Sequence, residues 1–453
     1  MIKIIIAILT FLFSSFVMGQ EISGQWNGAI KTPNGNLRIV ININKTDKGY
    51  VSTMDSPDQM AKGIPVASTT FENSMLKLDI AVAGALYEGK LNSDNTIVGK
   101  FSQNGQSFDV SFSKGNIQNV RPQEPQKPYP YYTEDVKFEN KNDNVTLAGT
   151  LSLLKKEGIF PAVILITGSG AQNRDEEILG HKPFLVLADY LTKKGFAVLR
   201  FDDRGTGEST GDFKSALTTD FAKDVQAGVD YLKTRKEINK QKIGLIGHSE
   251  GGIIAPIIAG NSKDIRCIVL LAGPGLRGDK LLLLQKEAIE KQMGIPEIEI
   301  QKGQKAFKDV YDLIVASSTN DENLKSNITS TFKANPSFSD DLRNSLTTQL
   351  TSPWMYNFIK LDPALFLQKV KCPVLALNGS KDLQVPAEIN LEMIQGVLTK
   401  SGNKKVTTKV LPNLNHLFQE CQTGSPIEYG AIEQTFSPIA LEEISNWLLV
   451  QTK

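Results

Sequence analysis

The chain has 453 residues, 40% of them hydrophobic and 22% charged, with a formal net charge of +1. That length predicts more than one domain, with enough apolar material for buried cores. A charge balance this even argues against a nucleic-acid partner and gives no electrostatic reason to expect an anionic membrane surface.

The N-terminus reads MIKIIIAILTFLFSSFVMGQE. Lys3 precedes an apolar run over residues 4–17, which is shorter than the ~20 residues a spanning helix needs. Val17 and Gly19 are small enough for the −3 and −1 positions of a cleavage site before Gln20. Residues 1–19 therefore read as an export signal, giving a periplasmic or secreted protein. No cysteine adjoins the cut, which argues against a lipid anchor, and no later run predicts a membrane span.

Over residues 21–115 the apolar residues alternate: Leu37, Ile39, Ile41, Ile43; Leu76, Leu78, Ile80, Val82; Phe108, Val110, Phe112. Turn signals separate the runs at residues 33–36, 46–49 and 92–95 and at Asn104-Gly105. About eight short strands are expected here, as an antiparallel meander forming a small barrel or sandwich. Residues 116–132 carry four prolines and read as a semi-rigid linker.

From 133 to 453 apolar runs (PAVILIT, FAVLRF, KIGLIG, CIVLLA, PVLALN) alternate with helix-period segments. That grammar predicts a mainly parallel sheet covered on both faces. Between about 278 and 362 the strand signal disappears, and the helical spacing there reads as a cap inserted over the sheet's edge. Cys267, Cys372 and Cys421 are widely spaced and make no metal-ligand pattern. The first two lie in apolar runs, where buried free thiols are expected.

The stretch GLIGHSEGG places Gly247-His248-Ser249-Glu250-Gly251 between a short apolar strand and a helix start. In that context G-x-S-x-G reads as a nucleophile elbow rather than a glycine-rich turn. Gly247 and Gly251 allow close backbone approach, and the helix N-terminus favours developing negative charge. A serine nucleophile needs a base. Of the chain's three histidines, His248 is inside the elbow and His181 precedes it. His416 lies in LPNLNHLF, between the last apolar strand and the C-terminal helix, and is the candidate base. Asp382, in the turn of PVLALNGSKDLQVP, is the candidate orienting carboxylate, giving the order Ser249, Asp382, His416. Two backbone N–H donors are expected for the oxyanion, from Glu250 and from Ser169 in the loop TGSGAQN. Arg204, in FDDRGTGEST, reads as a structural tie beneath the site.

Together TGSGAQNRDE, FDDRGTGES, GHSEGG, NGSKDLQVP and NLNHLF resemble the α/β-hydrolase superfamily, in its serine aminopeptidase-like branch of bacterial esterases. The resemblance spans roughly 165–418. It implies an α/β-hydrolase fold with a helical cap, preceded by the antiparallel β-domain. It also implies carboxylic ester hydrolysis through an acyl-enzyme, without a cofactor or metal. Many members carry His-Gly at the oxyanion loop, where this chain has Thr167-Gly168. An exopeptidase using the same triad is the rival activity, because the carboxylates of Asp175, Glu176 and Glu177 offer partners for a substrate ammonium. A solvated or internally paired run is the alternative. A non-catalytic binding protein is the rival of another class, and the β-domain reads either as a ligand-binding barrel or as a packing domain. The partner expected is a small-molecule ester; acyl group, alcohol and oligomeric state have no signature in the chain.

Overall fold

The computed structural model describes residues 21–32, 35–59, 61–103, 105–115, 121–333 and 338–453. The export signal read at 1–19 lies outside them, as do Pro33, Asn34, Asn104 and residues 116–120 of the proline-rich stretch. The chain divides into two compact units between Gln118 and Asn119.

The first unit runs β1 (Gly24–Thr32), β2 (Gly35–Thr46), β3 (Gly49–Ser56), β4 (Ala61–Pro65) and β5 (Ser68–Glu72). It continues with β6 (Met75–Ile80), β7 (Ala85–Leu91), β8 (Thr96–Gln103) and β9 (Gln106–Lys114). The alternation predicts about eight strands; the described residues hold nine, because short β4 has no apolar alternation to announce it. The order is β2-β1-β9-β8-β7-β6-β5-β3-β4, and β2 also pairs with β3. The β2–β3 pairing thus closes the sheet on itself as a barrel, leaving short β4 as an edge paired to β3. Along β7 every second residue is buried, and inward-facing Trp26, Ile41, Tyr87, Phe101 and Phe112 pack into one core. The buried Tyr87 hydroxyl donates to the Ile97 carbonyl at 3.1 Å.

The second unit carries β10 (Tyr132–Asn140), β11 (Val145–Leu153), β12 (Phe160–Ile166) and β13 (Ala197–Phe201). Then follow β14 (Ile238–His248), β15 (Ile265–Leu271), β16 (Val374–Gly379) and β17 (Val406–Leu411). Their order is β10-β11-β13-β12-β14-β15-β16-β17. The hairpin β10–β11 and its junction with β13 are antiparallel, and every later pairing is parallel. Helices α1 (Pro183–Lys193), α2 (Thr218–Thr234) and α3 (Gly251–Ala259) connect the earlier strands. Between β15 and β16 come α4 (Gly278–Gln292), α5 (Glu297–Ala316), α6 (Glu322–Lys333), α7 (Asp340–Leu350), α8 (Pro353–Lys360) and the short α9 (Ala364–Leu367). The last two helices are α10 (Ala387–Lys400) and α11 (Pro438–Gln451).

The central strands, such as β12 and β16, are buried along almost their whole length because both faces are covered. Ile164, Leu199, Leu245 and Ile268 meet Val225, Ile254 and Ile394 of α2, α3 and α10. Their neighbours Val163, Val198, Ile246 and Val269 meet Leu187 and Leu191 of α1 and Ile444 of α11. The cap helices hold a small core of their own, around Val310, Ile314, Ile328, Phe332 and Ile359.

The second part of the proline-rich stretch is held against this unit rather than spanning free space. Arg121 donates to the carbonyls of Ile432 at 2.6 Å and Gly430 at 2.8 Å. Gln123 exchanges bonds with Thr435 and Phe436. The polar residues between the prolines, which composition alone reads as solvated, supply these contacts. No helix among the described residues is long and apolar enough to cross a membrane.

Candidate active site

The loops after β12, β14, β16 and β17 leave the same end of the sheet, the carboxyl end of its parallel strands, where open α/β sheets bind ligands. The loop after β14 carries Ser249, which adopts φ 51°, a left-handed conformation uncommon outside glycine. Its N–H donates to the Leu271 carbonyl at 2.8 Å, and its own carbonyl accepts from the Gly252 N–H at 2.8 Å. The turn is this tight because no Cβ stands at its flanks. A Cβ on Gly247 would lie 2.0 Å from the Gly251 carbonyl oxygen, and one on Gly251 2.3 Å from that of Ile166.

Asp382 follows β16 and His416 follows β17. His416 Nδ1 lies 2.8 Å from Asp382 Oδ2, and both side chains are buried. Asp382 Oδ1 accepts the N–H groups of Gln384 and Val385 at 2.8 and 2.9 Å. A carboxylate held in this way fixes the tautomer: Nδ1 carries the proton and Nε2 keeps its lone pair. Ser249 and His416 line one cavity of about 250 Å³. Its walls include Gly168, Ser169, Gln172, Glu176 and His248, then Leu281, Leu282 and Gln285 of α4, and Trp354, Met355 and Phe358 of α8.

The Gly168 N–H is already committed, donating to Glu176 Oε1 at 2.9 Å. Among the described residues no protein acceptor takes the N–H of Ser169 or of Glu250. Thr167 donates from its hydroxyl to Asp203 at 2.7 Å. Asp203 also accepts the Gln172 N–H at 3.0 Å, so it anchors both ends of the 167–172 loop. Burial pushes its carboxyl up to about 8, against the Thr167 and Gln172 hydrogen bonds and with the Glu250 and Glu176 carboxyls nearby.

The Glu250 side chain turns away from the cavity. It accepts from the Thr218 hydroxyl at 2.6 Å and from Trp354 Nε1 at 2.9 Å, which joins the elbow to α2 and to α8 of the cap. Burial raises its pKa, opposed by hydrogen bonds from Thr218, Trp354 and Ser169. Arg204 ties loops together as its composition context suggests, reaching Asp224 at 2.6 and 2.8 Å and Asp143 at 2.9 Å.

The acidic run after the oxyanion glycines is internally paired. Asp175 pairs with Arg200, and Glu176 Oε1 lies 2.9 Å from His248 Nδ1. Exposed Glu177 accepts from Asn173 Nδ2 at 3.4 Å. Sequence reasoning left the fate of Glu176 open and gave His248 no partner; no spacing signal links two residues 72 positions apart. His181 is buried away from the cavity, with its ring nitrogens against Thr435 and the Tyr429 carbonyl. Cys267 is fully buried and free, Cys372 is partly buried and free, and burial pushes both thiols up to about 12.

An elbow serine, a carboxylate-held imidazole and a capped parallel sheet define a hydrolase of the α/β-hydrolase superfamily. The family model described as serine aminopeptidase, S33, matches residues 182–421, more than half of the chain, and the chain belongs to that family. It is similar to the esterase EstD of Thermotoga maritima, with 28% identity over 327 residues, 71% of this chain and 70% of that one. It also resembles an uncharacterized protein of Pseudomonas aeruginosa, with 28% identity over 196 residues, 42% of this chain and 50% of the relative. A solved esterase of Pyrococcus furiosus aligns with 75% of this chain and 100% of its own, at 18% identity and a TM-score of 0.45.

Proposed function

We propose that the protein is an exported serine esterase acting on small neutral esters through an acyl-enzyme. In this reading His416 Nε2 takes the Ser249 proton as Oγ attacks the ester carbonyl. Asp382 stabilises the imidazolium that forms, and the N–H groups of Ser169 and Glu250 receive the oxyanion. His416 then returns the proton to the leaving alkoxide. Water, activated by His416, releases the acid and restores Ser249. The observation that carries the reading is the pairing of a left-handed Ser249 and an Asp382-held His416 on one cavity.

The exopeptidase reading keeps support from the family description. It needs carboxylates free to take a substrate ammonium, and the two nearest are committed to Arg200, His248 and Gly168. Esters also need less help with the leaving group than amides. The test compares kcat/KM for short-chain p-nitrophenyl esters and for alanine or proline anilides on one preparation. Esters are expected to be at least about a hundredfold faster, roughly 2.7 kcal/mol of barrier, and folded Ser249→Ala to lose at least about 10⁴ of the rate. Anilides turned over as fast as esters would replace the esterase reading with the peptidase one. A wild-type protein inert to fluorophosphonates would favour the binding-protein reading. The export proposal is tested by the N-terminus of the mature protein, expected at Gln20.

A further inference from the structure

A buried hydrogen-bonded pair, Glu176 and His248, lies between the elbow and the base loop, and the chemistry above leaves it without a role. His248 Nδ1 is 2.9 Å from Glu176 Oε1, and its Nε2 is 2.9 Å from the carbonyl oxygen of His416. Both partners are acceptors. A neutral imidazole has one N–H and would set its remaining lone pair against the other oxygen. A ring that donates to both oxygens therefore carries a proton on each nitrogen, as the imidazolium. Both side chains are largely buried, at the wall of the cavity. Burial alone depresses the His248 pKa; Glu176 and the His416 carbonyl outweigh it and raise the pKa above its ordinary value. Glu176 Oε1 also receives the Gly168 N–H, and Glu176 itself sits at φ 51°. One continuous chain of bonds thus runs from Gly168 through Glu176 and His248 to His416.

We propose that Glu176 and protonated His248 are positioning residues, which lock the oxyanion loop at Gly168 and the base loop at the His416 carbonyl onto the nucleophile elbow. The inference rests on the esterase reading of Ser249. The pair meets all three moving parts of the chemistry. Gly168 is the residue before the Ser169 donor, and a Cβ on Gly168 would lie 3.1 Å from Ser249 Cβ. His248 is the residue before the nucleophile. Its ring centroid is 4.8 Å from that of His416, and its bond holds the backbone carrying the catalytic imidazole.

The charged and titratable groups facing the pair are Asp203 from the end of β13, Asp382 from the loop after β16, and His416 from the loop after β17. Loss of the His248 proton leaves one of its two acceptors without a donor. A raised imidazole pKa means that the bonded pair is complete at lower pH and is lost as pH rises through the raised value. Positioning therefore fails on the alkaline side.

Two measurements test this on the full-length protein. The chain has three histidines, so nitrogen-15 histidine labelling, with His181→Asn for assignment, resolves each ring by NMR. His248 is expected to carry protons on both nitrogens at neutral pH, and to lose one at alkaline pH. A single N–H at neutral pH overturns the proposal whatever the variants do. In kinetics, Glu176→Gln should lower kcat on a short ester by about 10- to 100-fold. That is below the ~10²–10³ for deleting an oxyanion donor outright. KM should stay within about threefold, and the alkaline limb of the kcat profile should move to lower pH. An unchanged pH profile, or loss of anilide turnover with ester turnover intact, also overturns it. Fluorophosphonate labelling of Ser249 in the wild type is the separate control: if it fails, the esterase reading fails, while the NMR result still reports on the pair.

Discussion

Replacing Gly247 by alanine tests the elbow at its tightest point. The new Cβ would lie 2.0 Å from the Gly251 carbonyl oxygen, 2.2 Å from its carbon and 2.8 Å from the Gly252 nitrogen. All three are backbone atoms and cannot rotate away. Ordinary contact begins at 3.4 Å, so the start of α3 must retreat by about 1.4 Å (3.4 − 2.0). Overpacking of this kind costs about 1–3 kcal/mol of stability. The displacement falls between Gly247 and Gly251, on either side of Ser249, and a misplacement of ~1 Å costs roughly a hundredfold in rate. The assay is kcat/KM on a short p-nitrophenyl ester and the fluorophosphonate labelling rate, with Tm measured beside them. Gly396→Ala in α10 is the control, because nothing lies within 4 Å of its added Cβ. That exposed helical site should gain about 0.5–1 kcal/mol and keep full activity. A Gly247→Ala protein with turnover within threefold of wild type would falsify the packing argument.

Trp354→Phe removes the indole donor to buried Glu250 and leaves the Thr218 bond; about 1–3 kcal/mol of stability should be lost, and KM for esters should rise more than kcat falls, because α8 forms a cavity wall. An unchanged KM would remove Trp354 from that role. Asp203 has a carboxyl raised to about 8, so its contribution to stability is present below the unfolded value of ~3.9 and is lost as pH rises through about 8; Asp203→Asn should flatten Tm against pH between those values, and an identical slope in both proteins would refute it. A chain truncated to start at Asn119 should fold and label with fluorophosphonate, since the second unit has its own cores. One starting at Tyr131 loses the Arg121 and Gln123 bonds and should melt several degrees lower; equal melting temperatures would show those contacts to be worth nothing.

The strands and helices were legible because their signals are local. Alternation along β6 and the apolar run at β12 are set by residues one to four positions apart. The candidate triad was legible for a related reason: Ser249, Asp382 and His416 each sit at a strand end that its own neighbours announce, in an order this fold class uses. Short β4 escaped because an exposed edge segment carries no alternation, and closure of the barrel needed the β2–β3 pairing to coexist with β2–β1.

What the sequence by itself determined is therefore the type of most elements, the hydrolase grammar of the second unit and the residues offered for chemistry. Only the tertiary structure decided how the polar residues between those elements pair. His248 finds Glu176 across 72 positions and the His416 carbonyl across 168, Trp354 finds Glu250 across 104, and Arg121 finds Ile432 across 311. A charged or amide side chain has no period and can bond any partner the fold brings within about 3 Å. Its partner is consequently a property of the packed chain, set after the apolar cores have placed the loops that carry it.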